Sequence, residues 1–523
     1  MRINAVVFGS LIIWASTGCV KNNRQEGRIP MSEMALNGIT ITLNPYGIAP
    51  LAAAIELDTE YPSKIEYTVL GNRPTNGESV DFLTQHLEQP ILGLYEATEN
   101  QVAVKVTDTR GKIAHDTLII RTDSAYFGNP DITINVKNEA LREEGMYLAD
   151  LHFGTTGFFQ SRPMVFDADG KVRYQLDLSS FGTISWPLKK LANGNLFFVN
   201  GGHLYEYSIL GKQLNDWILG SYSAHHDFCE MPNGHILILA FRAGKNILTA
   251  SGYIQTFEDQ VIEFDPATGS VLAEWDLTQI LDVDRIDLQD GGADWFHANS
   301  VYYDETDQTI IISGRNQGVI KVDWSNNLKW ILAPHQGWGN AGPNGTGAST
   351  QSALLTAVNQ SGQPYADSIQ NGTGYSGSFD WPFAQHNANV LSNGHLLLFD
   401  NGFNRRLDAT IPLVNRYSRI VEYDINETDK TVSQVWDWGK TRGYNLYSVI
   451  ISSASQLPQT GNYLLGSGFI MATVPLSAKV IELEATTKNP VFEAQLSFKN
   501  ATGNGVFGWG TIDIMYRVSP FSF

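Results

Sequence analysis

Apolar residues along most of this chain recur in short runs, alternating or continuous, separated by Asn-Gly, Thr-Gly or Gly-Lys turns. WPLKKLANGNLFFVN is followed by HLYEYSILGKQLNDWIL, and HDFCEMPNGHILILAF by QVIEFDPATGSVLAEWDL. Runs of this kind, bounded by turn dipeptides, predict strands joined by hairpins. Each unit holds four such runs, and further copies open at HANSVYYDETDQTIIISG, HNANVLSNGHLLLFDNG and SASQLPQTGNYLLGSGF. A sixth unit can be assembled from MVFDADGKVRYQLDL near residue 170 and the C-terminal GTIDIMYRVSPF. Four-stranded repeats whose two chain ends share one unit predict an all-β, closed six-bladed β-propeller, which leaves only short, protected strand edges.

Equivalent positions of successive repeats lie on one ring around the axis. His226, His297 and His386 each stand seven residues before the turn that closes their unit, so three imidazoles are expected at one centre. Trp186 and Ser453 hold the matching places in the first and fifth units. Strand alternation puts Asn299 on the side of His297, and His225 on the side opposite His226. Arg315 ends the strand that follows the His297 run and is expected at one mouth of the channel. Arg242 and Arg405 also follow inner strands and read as surface charges.

Residues 36–125 carry a different pattern: period-two runs such as KIEYTVLG and NQVAVKVTDTRG predict a small immunoglobulin-like β-sandwich. It has no cluster of His, Cys or paired acids, so its expected role is structural, and the propeller then occupies 126–523. A net charge of -19 with scattered Lys and Arg gives no basic stripe for a phosphate backbone, which excludes nucleic acid as a partner. At the N-terminus, Arg2 precedes AVVFGSLIIWAS, too short to span a bilayer, and Thr17-Gly18-Cys19 follows. Residues 1–19 thus resemble a bacterial lipoprotein signal with Cys19 as the lipidated residue, and 20–35 read as a linker. The expected location is periplasmic, on the outer membrane of a Gram-negative bacterium, with membrane contact through the lipid alone. Cys229, then the single remaining cysteine, cannot form an intramolecular disulfide and reads as a buried packing residue.

DWFHANSVYYDETDQTIIISGRNQGVIKVDWSNNLKWIL, FDWPFAQHNANVLSNGHLLLFDNG and LNPYGIAPLAAAIELD resemble the bacterial arylsulfate sulfotransferases. The resemblance runs through nearly the whole mature chain and is densest between His226 and Arg405. It implies an exported six-bladed propeller with an N-terminal β-sandwich that moves a sulfuryl group from one phenol to another without a nucleotide sulfate donor. It implies that the histidine of the Gln385-His386 pair takes that group covalently, and that the chain can form a homodimer. Better-known members also carry two cysteines in the long insertion before that histidine. Here the insertion, about residues 335–380, has none and is rich in Gly, Ser and Asn. A lid held by Trp338, Tyr375 and Trp381 is expected in place of a disulfide.

The residue types fit this chemistry. A sulfate monoester repels anions, so transfer needs a neutral nucleophile and cationic or hydrogen-bond donors around the oxygens. Neutral imidazole serves as nucleophile. Arg315 can grip two sulfuryl oxygens in a fork and keeps its charge, and Asn299 can donate a further bond. His297 or His226 would protonate the departing phenolate and deprotonate the incoming phenol, giving a ping-pong cycle through sulfohistidine. His225 and Ser453 are candidate substrate contacts, with Trp186 a wall for a phenyl ring. No cofactor is expected. Three histidines also invite a metal, but Arg315 in the same ring would repel a dication. A sulfatase formylglycine signature is absent, since Cys229 is followed by Glu230-Met231-Pro232, and no phosphate-cradling glycine loop precedes a helix. The alternative reading is a non-catalytic propeller that binds a ligand or an envelope protein.

Overall fold

The computed structural model describes residues 3–4, 28–79, 84–126, 128–155, 158–285, 292–473, 475–499 and 511–523. Cys19 and the signal segment around it lie outside the described residues, as does the first half of the linker, 20–27.

The N-terminal region is built of two sheets. One runs through Ser63–Val69, Glu99–Asp108 and Ile113–Arg121, the other through Thr40–Leu43, Ala53–Asp58 and His86–Ile91. In Ser63–Val69 every second residue is buried, the signature of a strand with one face on a core. Ile55, Ile65, Val102 and Val104 from both sheets close that core. Against the rest of the molecule this region is pinned by Arg173, fully buried, whose guanidinium donates to the carbonyls of Gly93 and Arg73, to Thr75 Oγ1 and to Asp167.

Six sheets of four or five strands make up most of the described remainder; they are antiparallel apart from Thr356–Ala357, which runs parallel to Thr431–Trp438, and a two-stranded hairpin stands outside them. Their first strands are β1 (Trp186–Lys190), β2 (Tyr222–Glu230), β3 (Ala298–Asp304), β4 (His386–Val390), β5 (Ser453–Gln456) and β6 (Ile514–Phe521). Neighbouring first strands touch in turn from β1 to β6. The circle closes where Tyr516 of β6 packs on Trp186 of β1, ring centroids 5.1 Å apart. The C-terminal strand β6 pairs with Met146–Gly154, which leads on to Met164–Phe166 and Val172–Gln175, so one sheet joins both ends of the array.

Hairpins explain the repeat. At Leu191–Asn195, Met231–His235 and Leu391–His395 the same turn recurs: a glycine with positive φ at 194, 234 and 394, and an Asn side chain accepting from the backbone two residues on. The turn is then tied to the third strand by a carboxylate: Glu206 to Asn195, Glu263 to His235 and Glu422 to His395. His235 and His395 are therefore part of the scaffold, at the outer end of the hairpin.

A second recurrence shapes the centre. The pairing of first and second strands slips register between Trp186 and Lys189, Ala224 and Phe228, Ala298 and Ser300, and His386 and Asn389. Each slip is a bulge that kinks the strand and re-aims side chains. His226, His297 and Asn387 sit in the left-handed region at φ 54°, 56° and 56°, and Ile451, just before β5, at 55°. A β-branched residue there is a true outlier.

Residues 335–380 form short 3-10 turns and one helical turn, Asp367–Gln370. Trp338 and Trp381 are buried, with indole N–H groups donating to Pro334 and Ile369 carbonyls. Tyr375 is 47% exposed and meets Arg406 rather than a core, so two of the three expected anchors hold the segment. Arg405 departs further from expectation: it is buried and bonded to Asp400 at 2.8 Å. Arg242 is a surface charge. Cys229 is half-buried rather than buried, and desolvation pushes its thiol pKa up.

Candidate active site

The bulged starts of β2, β3 and β4 bring His226, His297 and His386 together with Arg315. His226 and His297 meet edge to face, centroids 4.9 Å apart. His386 feels the charge of Arg315 and of His297.

His386 is buried, and its Nδ1 is 2.8 Å from Asn401 Oδ1 and 3.1 Å from the Ala384 carbonyl. Two acceptors require a proton on Nδ1, so the lone pair is on Nε2. Burial first, then Arg315, holds its pKa well below the ordinary value. The ring is therefore neutral, with one nucleophilic nitrogen. The Ile451 N–H donates to that Nε2 at 3.2 Å, presented by the left-handed turn at Ile451 and Ser452. Asn401 is oriented in turn by donating to the carbonyls of Ser448 and Ile451.

Arg315 is nine-tenths buried, and its backbone N–H donates to the His297 carbonyl. Its guanidinium makes one hydrogen bond, Nη1 to Asn316 Oδ1 at 3.2 Å, and its Nε has no partner among the described residues. Burial lowers its pKa, yet a guanidinium starts so high that it stays charged. A buried cation with unused donors is suited to an anionic group.

His297 differs from its two counterparts. Its Nδ1 lies 2.8 Å from Asp294 Oδ2 and 3.0 Å from Glu258 Oε2. Burial pulls its pKa down, but Glu258 and Asp294 outweigh burial and raise it. His226 lies under Trp186, rings stacked at 4.4 Å and 25°, with Nδ1 3.0 Å from Nδ1 of His225. Burial, followed by the charges of His297 and His225, keeps His226 neutral, and burial brings His225 down to about 3.

Several side chains do not stand as strand alternation predicts. His225 and His226 do not face opposite ways: the bulge at 224–228 turns them into contact. Asn299 donates Nδ2 to the Gln385 carbonyl at 2.8 Å, fastening β3 to the residue before His386, while its buried Oδ1 has no partner among the described residues. Ser453 Oγ donates to the Val518 carbonyl and accepts from the Val518 N–H, so it joins β5 to β6. Trp186 walls His226 and is itself buried. Not anticipated at all were Asn401, Glu258 and Asp294, together with Arg517, which pairs with Asp227 at 2.7 Å beneath the ring. Asn401 ends a second strand just as Arg315 does, so aligning the ends of second strands, as well as the starts of first strands, points to it.

Two groups of side chains bring ligand atoms close enough for a cation: His225, His226 and Glu258, and Glu258, Asp294 and His297. In the second, His297 Nδ1 hydrogen-bonds to Asp294 Oδ2, and Glu258 Oε2 lies 3.0 Å away without a hydrogen bond among the described residues.

An arylsulfotransferase (ASST) family model matches residues 130–506, and an arylsulfotransferase Ig-like domain model matches 40–123. The arylsulfate sulfotransferase AssT of Escherichia coli O6:H1 is 31% identical over 506 residues, covering 79% of this chain and 82% of its own. The protein of the same name from Lelliottia amnigena is 30% identical over 544 residues, covering 86% and 88%.

Proposed function

The chain belongs to the arylsulfotransferase family and is an aryl-sulfate sulfotransferase, and we propose that it works by ping-pong transfer through a sulfohistidine at His386. The observation that carries this reading is the tautomer of His386. Asn401 and Ala384 hold the proton on Nδ1, burial keeps the ring neutral, and Nε2 keeps a lone pair beside a cationic Arg315.

The donor ester enters as an anion and sets its sulfuryl oxygens against the unused guanidinium donors of Arg315. Nε2 of His386 forms a bond to sulfur as the bond from sulfur to the phenolic oxygen breaks. The leaving oxygen takes a proton from His297, the one imidazole of the ring whose charged form is favoured. The Ile451 N–H gives up Nε2 in this step and becomes a free donor for a sulfuryl oxygen. An acceptor phenol then returns its proton to His297 and attacks sulfur, and the nitrogen–sulfur bond breaks. The substrates are phenolic.

We read the six sheets as the blades of a β-propeller spanning 126–523, preceded by the immunoglobulin-like domain at 36–125. Residues 1–19 are read as an export signal ending in lipidated Cys19, which makes the protein a periplasmic lipoprotein, and the chain as able to form a homodimer. No described helix is long and apolar enough to cross a membrane.

The test is turnover of a chromogenic aryl sulfate with and without an added phenol. Donor cleavage must depend strongly on the acceptor, because the sulfated enzyme waits for it. Equal turnover in buffer alone would make the protein a hydrolase and end this reading.

A further inference from the structure

We infer that Glu258 is the positioning residue that makes His297, and not His226, the proton carrier of the reaction. This rests on the transfer reading above and extends it to a residue outside the strands that carry the histidines. Glu258 lies between an inserted hairpin, Asn246–Gln255, and the third strand of the second sheet, Gln260–Asp265.

Two independent features place it. The first is the backbone. Glu258 is left-handed at φ 58°, a conformation that costs free energy unless its surroundings enforce it. Its carbonyl accepts from the N–H of Ala298, the residue after His297, at 3.0 Å, and the Phe257 N–H donates to Ala293 at 3.1 Å. Beside it the indole of Trp295 donates to Asp259 at 3.2 Å. The loop bearing Glu258 is therefore stitched to the segment that delivers His297.

The second is the side chain. Oε2 lies 3.0 Å from His297 Nδ1, and Oε1 lies 3.7 Å from His226 Nδ1. Glu258 and Asp294 together put two carboxylates at one nitrogen of His297, which fixes the proton there and leaves Nε2 for the phenolic oxygen. With His297 protonated, Glu258, Asp294, His297 and Arg315 sum to zero charge, so the anionic ester meets no net repulsion. The groups facing this pair are His225 and His226 from β2, Asp294 and Arg315 flanking β3 and its partner strand, His386 from β4, Asp259 from Glu258's own loop, and Tyr516 from β6. Burial, with Asp294 and Asp259 adding to it, raises Glu258 to about 7, against the pull of His297. The proton balance holds across the cycle: His297 loses one from Nε2 to the leaving phenolate and regains one from the acceptor.

The experiment compares Glu258→Gln with the wild type on two donors, phenyl sulfate and a nitrophenyl sulfate, each with excess acceptor phenol. A phenolate of high pKa needs the proton, whereas a nitrophenolate leaves without it. The variant is expected to lose about 100-fold on phenyl sulfate and less than about 3-fold on the activated donor. The alkaline limb of its profile on phenyl sulfate should move down by about one pH unit, since His297 loses a charge that favours its protonation. Glu258→Asp should recover part of both. Equal losses on the two donors with an unmoved pH profile would make Glu258 merely structural and overturn the inference, as would full activity of Glu258→Gln. Should the variant fail to fold, nitrogen-15 histidine spectra of the wild type decide: an imidazolium that outlasts the ordinary histidine value as pH rises and vanishes in His297→Gln supports the inference, and its absence overturns it. Failure of the transfer reading itself registers elsewhere, as a wild-type enzyme that forms no sulfated peptide containing His386.

Discussion

The two regions of this protein are both antiparallel β-structure, yet they treat regularity in opposite ways. In the N-terminal sandwich, Ser63–Val69 pairs with Glu99–Asp108 over seven residues without a slip, and burial alternates strictly. Among the first strands of the six sheets, five slip register against their neighbouring strand, and runs such as Ala224–Phe228 are buried on both sides of the strand. Among the described residues the sandwich has Asn44 and Ala97 as left-handed non-glycine residues, whereas the centre of the ring has His226, Glu258, His297, Ala384, Asn387, Ile451 and Ser452. A perfectly pleated strand offers every second side chain to one face and nothing along its own edge. A bulge spends a ladder hydrogen bond to turn one extra side chain toward the axis. The irregular strands are where the chemistry is gathered.

The difference can be broken at His386. His386→Asn should leave the fold in place, because Asn is smaller and the neighbouring polar groups can still be met, yet it should abolish both donor cleavage and the covalent adduct. Mass analysis of peptides after exposure to donor alone reads the result: the wild type carries an added sulfuryl group on the peptide spanning Gln385–Asn387. Finding it on His226 or His297 would transfer the nucleophile to another bulge.

A smaller loss is expected at Arg315. Arg315→Lys keeps a charge but not the planar fork, so transfer should slow by roughly 100-fold while the adduct still forms. A rate within about 3-fold of the wild type would mean that a point charge suffices and that the unused guanidinium donors are incidental.

Legibility in the sequence follows the same divide. Turn dipeptides and apolar runs carry the strands of both regions, because hairpin chemistry is local: the Asn-Gly turns at 193–194, 233–234 and 393–394 form as their residues dictate. Repeat phase also finds the three histidines, since a repeat preserves position whatever the backbone does there. Side-chain direction is another matter. Counting from His226 places His225 opposite, but the count crosses the bulge at 224–228, which reverses the parity that it relies on. Glu258 is illegible for a further reason: it belongs to an insertion with no counterpart in other repeats, and only the fold brings it to His297.

The smallest effect expected is one of stability, and it sets the two regions apart by pH. Buried His152 and His225 are each brought down to about 3 by desolvation, and His226 and His386 are held well below their ordinary value. Each is depressed relative to an unfolded value near 6.5, so below about pH 6.5 the unfolded chain binds protons that the folded ring does not, and stability falls as pH falls. Buried acids act the other way. Burial raises Asp150 to about 8 and Glu258 to about 7, and raises Asp259 and Glu482 as well, so there the folded state holds protons that the unfolded state lacks. His297 is raised too and adds no loss in that window. The depressed histidines are concentrated in 222–230 and 386–390, so the loss on acidification is expected there first. In the sandwich the depressed carboxylates Asp58 and Asp108 act only nearer their unfolded values close to about 4. Hydrogen exchange between about pH 6.5 and 5, corrected for intrinsic rates, should therefore show protection falling in residues 222–230 and 386–390 while 63–69 and 99–108 keep theirs. Equal loss in both regions would mean that they open as one unit, and no loss in either would mean that water reaches the histidines and protonates them in place.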